Sequence, residues 1–466
     1  MSTHGPFLST GKESNSDKHM VYISGAHNQP GKILLIRSDG SITESEQEAF
    51  DRDKIHEDMG SVFFDADGDK DLDIYVVSGG NEFPDGHSFY NDRLYLNEGG
   101  TFVRARAHLP PIRSSGMKVI SEDVDADGDL DLIVGGRHIP HQYPKPASSY
   151  ILLNDGRGKF SDETETLCPS LKGIGMITDI EVADINQDGE RDLLLSGEWS
   201  DIKVLLKKDG KYKDPTEIKG VSNHVGWWFN ILTEDIDSDG DIDIVAGNLG
   251  ENYKYQASED KPFHIYGSDF DQSGSQDIVL GYYVDNETLY PVRGRQCSSE
   301  QIPEISEKFK TYDEFASASL IDIYGEELDS SISIKATNFT SGTFVNDGSG
   351  NFEFVPFPAM AQISPINGLV ALDVDGDGQK EIVSGGNLFE AEVETGRADA
   401  GKGLILHNMG QGNFIPISIQ HSGINEKGNT KDILALELSE NNTYLFFGNN
   451  DGPVTLYELS NSNLSQ

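Results

Sequence analysis

The stretch Asp123-Val-Asp-Ala-Asp-Gly-Asp-Leu-Asp131, running straight into Leu132-Ile-Val-Gly135, decides how this chain is read. Carboxylates on alternate residues repel one another at this density, so they cannot pave a packed strand surface. A divalent cation removes the conflict. Calcium takes six to eight oxygens at about 2.3–2.6 Å, and a tight loop offers them from positions 1, 3, 5 and 9 and from the carbonyl at position 7. The motif returns in full as Asp235-Ile-Asp-Ser-Asp-Gly-Asp-Ile-Asp243, and looser copies begin at Asp65, Asp184, Asp269 and Asp373. The six starts are separated by 58, 61, 51, 34 and 104 residues.

A second marker follows the loops: a short apolar strand ending in glycine. It occurs eight times, at Tyr22–Gly25, Val76–Gly79, Leu132–Gly135, Leu194–Gly197, Ile244–Gly247, Ile278–Gly281, Ile382–Gly385 and Leu445–Gly448. Two of these eight hairpins lack ligands where the loop belongs: Lys12–Met20 and Glu437–Asn442 show no alternation of oxygens, and neither is expected to bind metal. A third marker is an outer hairpin with a glycine-rich turn, as in Ile151-Leu-Leu-Asn-Asp-Gly-Arg-Gly-Lys-Phe160 and Thr343-Phe-Val-Asn-Asp-Gly-Ser-Gly-Asn-Phe352. The Asn-Asp-Gly step is expected to supply the positive φ of a tight hairpin. Inner plus outer hairpin makes a four-stranded antiparallel unit of about 50 residues, the size of a propeller blade.

The fold expected is therefore all-β: one β-propeller domain over residues 1–466. Eight blades follow from the spacing, or seven if the crowded region between Trp227 and Phe357 forms one enlarged blade. There two inner hairpins lie 34 residues apart, and one outer hairpin must serve both. One helical insertion is expected near 298–318, because Ile302, Ile305, Phe309, Tyr312 and Phe315 recur at helical spacing. An open array would expose edge strands, so the strand near Gly5–Thr10 and the hairpin Ile433–Tyr457 are expected to close the ring.

On these markers the chain resembles the FG-GAP/VCBS repeat family, whose calcium loops also stud the integrin α-subunit propeller. The resemblance runs from about Gly5 to Leu459. Gly226-Trp-Trp-Phe-Asn230, Gly247-Asn-Leu-Gly250 and Val292–Gln301 further resemble the C-terminal propeller of large exported Bacteroidetes-type proteins, in which FG-GAP repeats flank an ASPIC/UnbV module absent here. What the family implies is calcium-stabilised surface binding or adhesion.

Residue by residue, the expected metal sites form a graded series. Asp123, Asp125, Asp127 and Asp131 with the Asp129 carbonyl, and Asp235, Asp237, Asp239 and Asp243 with the Asp241 carbonyl, are complete and expected to be strongest. In Asp65, Asp67, Asp69, Asp71 and Asp73, Lys70 replaces the usual glycine and must take its strained turn. The loop of Asp184, Asn186, Asp188, Glu190 and Asp192 has one neutral ligand, and that of Asp269, Asp271, Ser273, Ser275 and Asp277 a weak hydroxyl. The last, Asp373, Asp375, Asp377, Gln379 and Glu381, ends in a longer carboxylate. Up to six Ca²⁺ are expected. An EF-hand is excluded because strands, not helices, follow directly.

The formal charge of −43 argues against nucleic acid and anionic membrane surfaces as partners. Six bound Ca²⁺ would bring it from −43 to −31. No apolar run approaches the roughly 18 residues of a membrane span, so no membrane insertion is expected. The chain opens with no secretory signal, yet weak calcium loops suit an extracellular or cell-surface setting. The two are reconciled if the chain is part of a larger exported protein. Cys168 and Cys297 are the only cysteines and are read as unpaired.

No G-x-S-x-G elbow, H-E-x-x-H or phosphate loop is present. The function expected is a non-enzymatic binding or adhesion module for a protein or glycan, or for other domains of a larger surface protein. The alternative is a carbohydrate-active, polysaccharide lyase-like enzyme on the same scaffold. Trp199, Trp227 and Trp228 are read as a sugar-stacking platform or blade core; Arg293, Arg295 and Arg397 as anion contacts or ion pairs; His138 and His141 as loop residues or a surface site.

Overall fold

The computed structural model describes residues 4–12, 17–285, 287–391, 394–439 and 442–459. The two degenerate loops, Lys12–Met20 and Glu437–Asn442, lie partly outside them.

The repeating apolar strands form antiparallel sheets built as meanders. The first is Leu8–Lys12, Lys18–Ile23, Lys32–Arg37 and Ile42–Ser45, in that order. The third, Gly116–Glu122, Asp131–Gly136, Tyr150–Asn154 and Phe160–Asp162, is typical. Its second strand is buried at every residue because both faces are covered, which is why it reads as an unbroken apolar run rather than an alternating one. The innermost strands begin at Leu8, Asp58, Gly116, Met176, Asn230, Gly368 and Asn429, and each packs beside the next until the last meets the first.

Among the described residues seven such sheets stand round the ring, where eight were favoured from spacing. Seven apolar clusters, one between each pair of neighbouring blades, hold it together. The eighth hairpin belongs to an inserted sheet, Phe263–Ser268, Asp277–Tyr283, Leu289–Pro291 and Ile332–Ala336. It lies between the second and third strands of the fifth blade, whose second strand pairs with the distant Gly342–Asn346 (Ile244 opposite Phe344). No outer hairpin is shared, contrary to expectation: the inserted sheet has its own outer strands. The crowding comes from a separate sheet inserted within a blade, neither a further blade of the ring nor an enlarged one.

The single helix expected near 298–318 is instead five short ones, Arg295–Gln301, Glu304–Lys308, Tyr312–Ala316, Leu320–Tyr324 and Glu327–Ser330. Pro303 supplies no N–H and interrupts the first, while Thr311 and Ser319 start new helices with capping boxes. Ile302, Ile305 and Phe315 pack on Phe270 and Val279 of the inserted sheet, but Tyr312 is 64% exposed. Ring closure involves the two expected segments without a shared sheet. The Leu8 amide donates to Asp432 Oδ2 (2.8 Å) and Asn450 Nδ2 to the Gly5 carbonyl (2.7 Å), beside a cluster of Val21, Ile36, Leu436, Tyr444 and Phe446. Cys168 and Cys297 are unpaired.

Candidate functional site

Five of the six acidic loops sit at the far end of an innermost strand, the one at Asp269 lies in the inserted sheet, and each wraps around its own first aspartate. Asp123 accepts the amides of Asp127 (3.1 Å) and Gly128 (3.2 Å), and Asp235 those of Asp239 and Gly240 (both 3.1 Å). The sixth position takes positive φ in every loop: 99° at Gly128, 97° at Gly240 and 77° at Lys70. Lys70 therefore does carry the strain expected of it. Three ligand atoms lie within 4.8 Å of one another in the sets Asp123/Asp125/Asp127, Asp235/Asp237/Asp239, Asp65/Asp67/Asp73 and Asp269/Asp271/Asp277.

The residues fit a hard cation. Asp237 Oδ1 and Asp71 Oδ1 are buried without a hydrogen-bond partner among the described residues. Burial, reinforced by neighbouring carboxylates, raises the Asp125 and Asp237 carboxyls and pushes Asp71 up to about 7. A cation held among the Asp125 and Asp237 sets would relieve the penalties on those two carboxyls. Position-seven side chains do not join the clusters just named; that of Asp241 pairs with Gln187 of the preceding loop.

The ninth residue has a second task. Asp131 accepts the Val124 amide in its own loop (2.9 Å) and the Asn154 amide on the third strand (2.8 Å); Asp243 does the same with Ile236 (2.9 Å) and Asn346 (2.8 Å). The asparagine then reaches across the blade boundary. Asn154 Nδ2 donates to Ala66 O (2.8 Å), Asn346 Nδ2 to Ile185 O (3.0 Å) and Asn408 Nδ2 to Ile236 O (2.8 Å), each in the preceding blade's loop. These asparagines, read from sequence as turn formers, end strands; the positive φ falls on Gly156 (68°) and Gly348 (73°). Sequence reasoning also missed His407, whose Nδ1 lies 3.0 Å from Glu381 Oε1 and 3.7 Å from Asp375 Oδ2.

A pocket of about 310 Å³ opens at the other end of the ring. Lys118, Thr178, Asn230 and Asp432 line it from the beginnings of innermost strands. With Gly116–Glu122 spanning roughly 20 Å at about 3.3 Å per residue, loops and pocket lie at opposite ends. Ile265, Ile278 and Leu280 of the inserted sheet wall one side.

Trp199 and Trp227 furnish its aromatic face, with ring centres 5.6 Å apart, and Phe263 stacks behind Trp199 at 5.8 Å. Trp199 has φ 57°, rare for a bulky residue, at a register shift where Glu198 faces Trp227 and Ser200 faces Gly226. Such a bulge re-aims a side chain at local conformational cost. Trp199 Nε1 donates to Tyr143 Oη (2.6 Å), Tyr143 Oη to Glu198 Oε2 (2.8 Å), and Arg137 Nε to Glu198 Oε1 (2.9 Å). Burial, then the Glu198 charge, holds the Tyr143 phenol well above its ordinary value.

Of the three tryptophans proposed as a platform, Trp228 is fully buried in the cluster between the fourth and fifth blades. Arg293 lines the pocket; Arg295 contacts the Phe309 carbonyl (2.7 Å), and Arg397 pairs with Asp399 (2.9 Å). His138 lies behind Arg137, 3.0 Å from Nδ1 to NH1.

Residues 184–246, which include the loop of the fourth blade and the complete loop of the fifth, match the FG-GAP-like repeat family. No curated protein matches the chain. Among solved structures it is similar to an Agrocybe aegerita lectin recognising non-reducing terminal N-acetylglucosamine (14% identity, 90% of each chain, TM-score 0.36). It is also similar to the Dos1 propeller (10%, 98% of this chain and 93% of that one, 0.45) and to the exotype rhamnogalacturonan lyase YesX (12%, 97% and 71%, 0.43).

Proposed function

We propose that this FG-GAP-repeat β-propeller is a calcium-stabilised, non-enzymatic binding module of a cell-surface or secreted protein, and that its ligand enters the axial pocket. The observation that carries the reading is Trp199, held at φ 57° on a bulge and tied through Tyr143 to Glu198 and Arg137. A bulky residue in that region costs about 1–3 kcal/mol, and here the cost maintains an aromatic wall inside a concave site. The acid nearest that wall supports binding over catalysis. Both oxygens of Glu198 are occupied, by Arg137 and by Tyr143.

Bound at a loop such as Asp123, Asp125, Asp127 and Asp131, calcium would offset two of its negative charges and tie the ends of the two strands that flank it. The Asn154, Asn346 and Asn408 bridges pass that restraint to the preceding blade. Chelation is therefore expected to lower the melting temperature by several degrees, since metal that binds only the folded state stabilises by mass action. An unchanged melting temperature in EDTA would refute the role. Recognition is tested on a glycan and protein array with the wild type and Trp227→Ala, both in calcium. Retention lost on substitution at an unchanged melting temperature is expected; cleavage of a polysaccharide would establish the enzymatic alternative instead.

A further inference from the structure

The sixth blade departs from its siblings at one strand position, and the departure faces a metal loop. The residue before the strand-ending asparagine is apolar in other blades: Leu96, Leu153 and Val345. Leu96 and Leu153 pack against the apolar clusters between blades. In the sixth blade the same place, on the strand Leu404–Asn408, is held by His407. Its Nδ1 lies 3.0 Å from Glu381 Oε1 and 3.7 Å from Asp375 Oδ2.

The carboxylate it meets is also unlike its counterparts. Asp73, Asp131 and Asp243 each accept the amide of the strand-ending asparagine at 2.8 Å. Glu381 is one methylene longer; it leaves the Asn408 amide at 3.5 Å and turns Oε1 to the imidazole. Its other oxygen keeps the Val374 amide of its own loop (2.9 Å). Asp375 gives Oδ1 to the Asp377 amide (3.2 Å), so Oδ2 is the oxygen that faces His407. Lys380, next to Glu381 in the chain, is directed to Glu234 instead (2.6 Å).

A hydrogen bond from Nδ1 to Glu381 accounts for one of these contacts. It does not account for Asp375, whose oxygen lies beyond hydrogen-bond reach of the same nitrogen. One nitrogen and the oxygens of two separate carboxylates converge within 4.8 Å. Ligands at about 2.0–2.2 Å from a tetrahedral zinc stand roughly 3.3–3.6 Å apart, and the observed 3.0 and 3.7 Å bracket that spacing. Oxygens around calcium are spaced similarly, so the donor atoms make the choice. Imidazole suits zinc and its first-row neighbours, whereas calcium takes oxygen. The sets at Asp65, Asp123, Asp235 and Asp269 contain carboxylates alone. We propose that the loop of the sixth blade holds a zinc-class divalent ion in preference to calcium, with His407 Nδ1, Asp375 and Glu381 as its ligands.

The test is titration of the full chain in excess calcium with Co²⁺, followed by visible absorption, and then with Zn²⁺ as competitor. One equivalent of Co²⁺ is expected to bind despite the calcium, and one equivalent of Zn²⁺ to displace it. His407→Leu, which installs a residue that other blades carry, should weaken Co²⁺ by roughly tenfold or more, the scale on which even the outer partners of metal ligands act. His407→Gln keeps a donor for Glu381 but offers no ring nitrogen. It should lose Co²⁺ to the same extent while its melting temperature in calcium stays that of wild type.

Absence of Co²⁺ binding in excess calcium overturns the proposal and leaves His407 as a hydrogen-bond partner of Glu381. Co²⁺ that binds equally well to His407→Gln, or that calcium displaces, also overturns it, since either outcome describes an adventitious ion only. Calcium at the other loops is read separately, by calcium titration of His407→Gln, so a failure here leaves the calcium-stabilised reading standing.

Discussion

Replacing Asn346 by alanine separates local turn chemistry from coupling between blades. The side chain is 4% exposed, and its amide donates to Ile185 O in the fourth blade (3.0 Å) and Ile242 O in its own (3.1 Å). Its Oδ1 accepts from the Gly348 amide (3.2 Å), while the backbone bond from Asn346 to Asp243 survives substitution. Each lost bond is worth about 1 kcal/mol net, and each carbonyl left buried without a partner about 1–3 kcal/mol. Asn346→Ala should therefore cost about 3 kcal/mol. Asn97 is the internal control. It makes the own-blade bond (Leu72 O, 3.2 Å) and accepts from Gly100 (2.7 Å), and no bond from its side chain to the first blade is present among the described residues. Asn97→Ala should cost about 1–2 kcal/mol. Urea unfolding in excess calcium reads the difference as a shift in midpoint at unchanged slope. Equal losses in the two variants, or a loss below about 0.5 kcal/mol for Asn346→Ala, would refute the bridge as a stabilising element.

Lys70→Gly relieves a left-handed residue worth about 1–2 kcal/mol and returns about 0.5–1 kcal/mol in unfolded-chain entropy. A net gain of about 0.5 kcal/mol and tighter calcium binding at that loop are expected by urea midpoint and calcium titration. Arg93→Met leaves Asp58 buried with, among the described residues, only Tyr22 (2.6 Å) and Gly25 (3.0 Å) as side-chain partners, where Arg93 had held it at 2.6 Å with both side chains at most 5% exposed. The loss of a buried partner costs about 3–5 kcal/mol, measurable by the same unfolding curves. Asp92, which accepts from Tyr75 (2.7 Å), Tyr150 and Ser78 (2.7 Å), is pushed by burial up to about 6, against about 3.9 unfolded. The folded state then binds its proton more tightly, so its contribution is full below about pH 3.9 and is lost as pH rises through about 6. The stability of wild type relative to Asp92→Asn should accordingly fall by up to about 3 kcal/mol between pH 4 and 7, and a flat difference would contradict the assignment.

Much of the molecule was legible because it is local. A D-x-D-x-D-G-x-x-D loop folds around its first carboxylate within nine residues, and the apolar strand beyond it pairs with the one before. Hence the loops, the eight glycine-ended strands, the outer hairpins and the strain at Lys70 could all be read. Asn154 and Asn346 were misread because an Asn-Asp-Gly step is compatible with a turn, and nothing along the chain shows that the side chain meets a carbonyl 88 or 161 residues away. His407 stands where other blades carry Leu153 and Val345, an apolar strand position with no metal signal of its own.

The sequence by itself determined the repeating unit, the antiparallel pairing within it and the oxygen-lined loops, since each depends on contacts across a single turn. Tertiary structure decided the rest. Seven sheets close the ring because the hairpin around Asp269 is spliced between strands that pair across nearly a hundred residues, a fact invisible to spacing. The pocket exists only once that ring is shut. Its walls come from the ends of strands that are remote in sequence, and its ion pairs, such as Arg137 with Glu198 across 61 residues, form only when those ends meet.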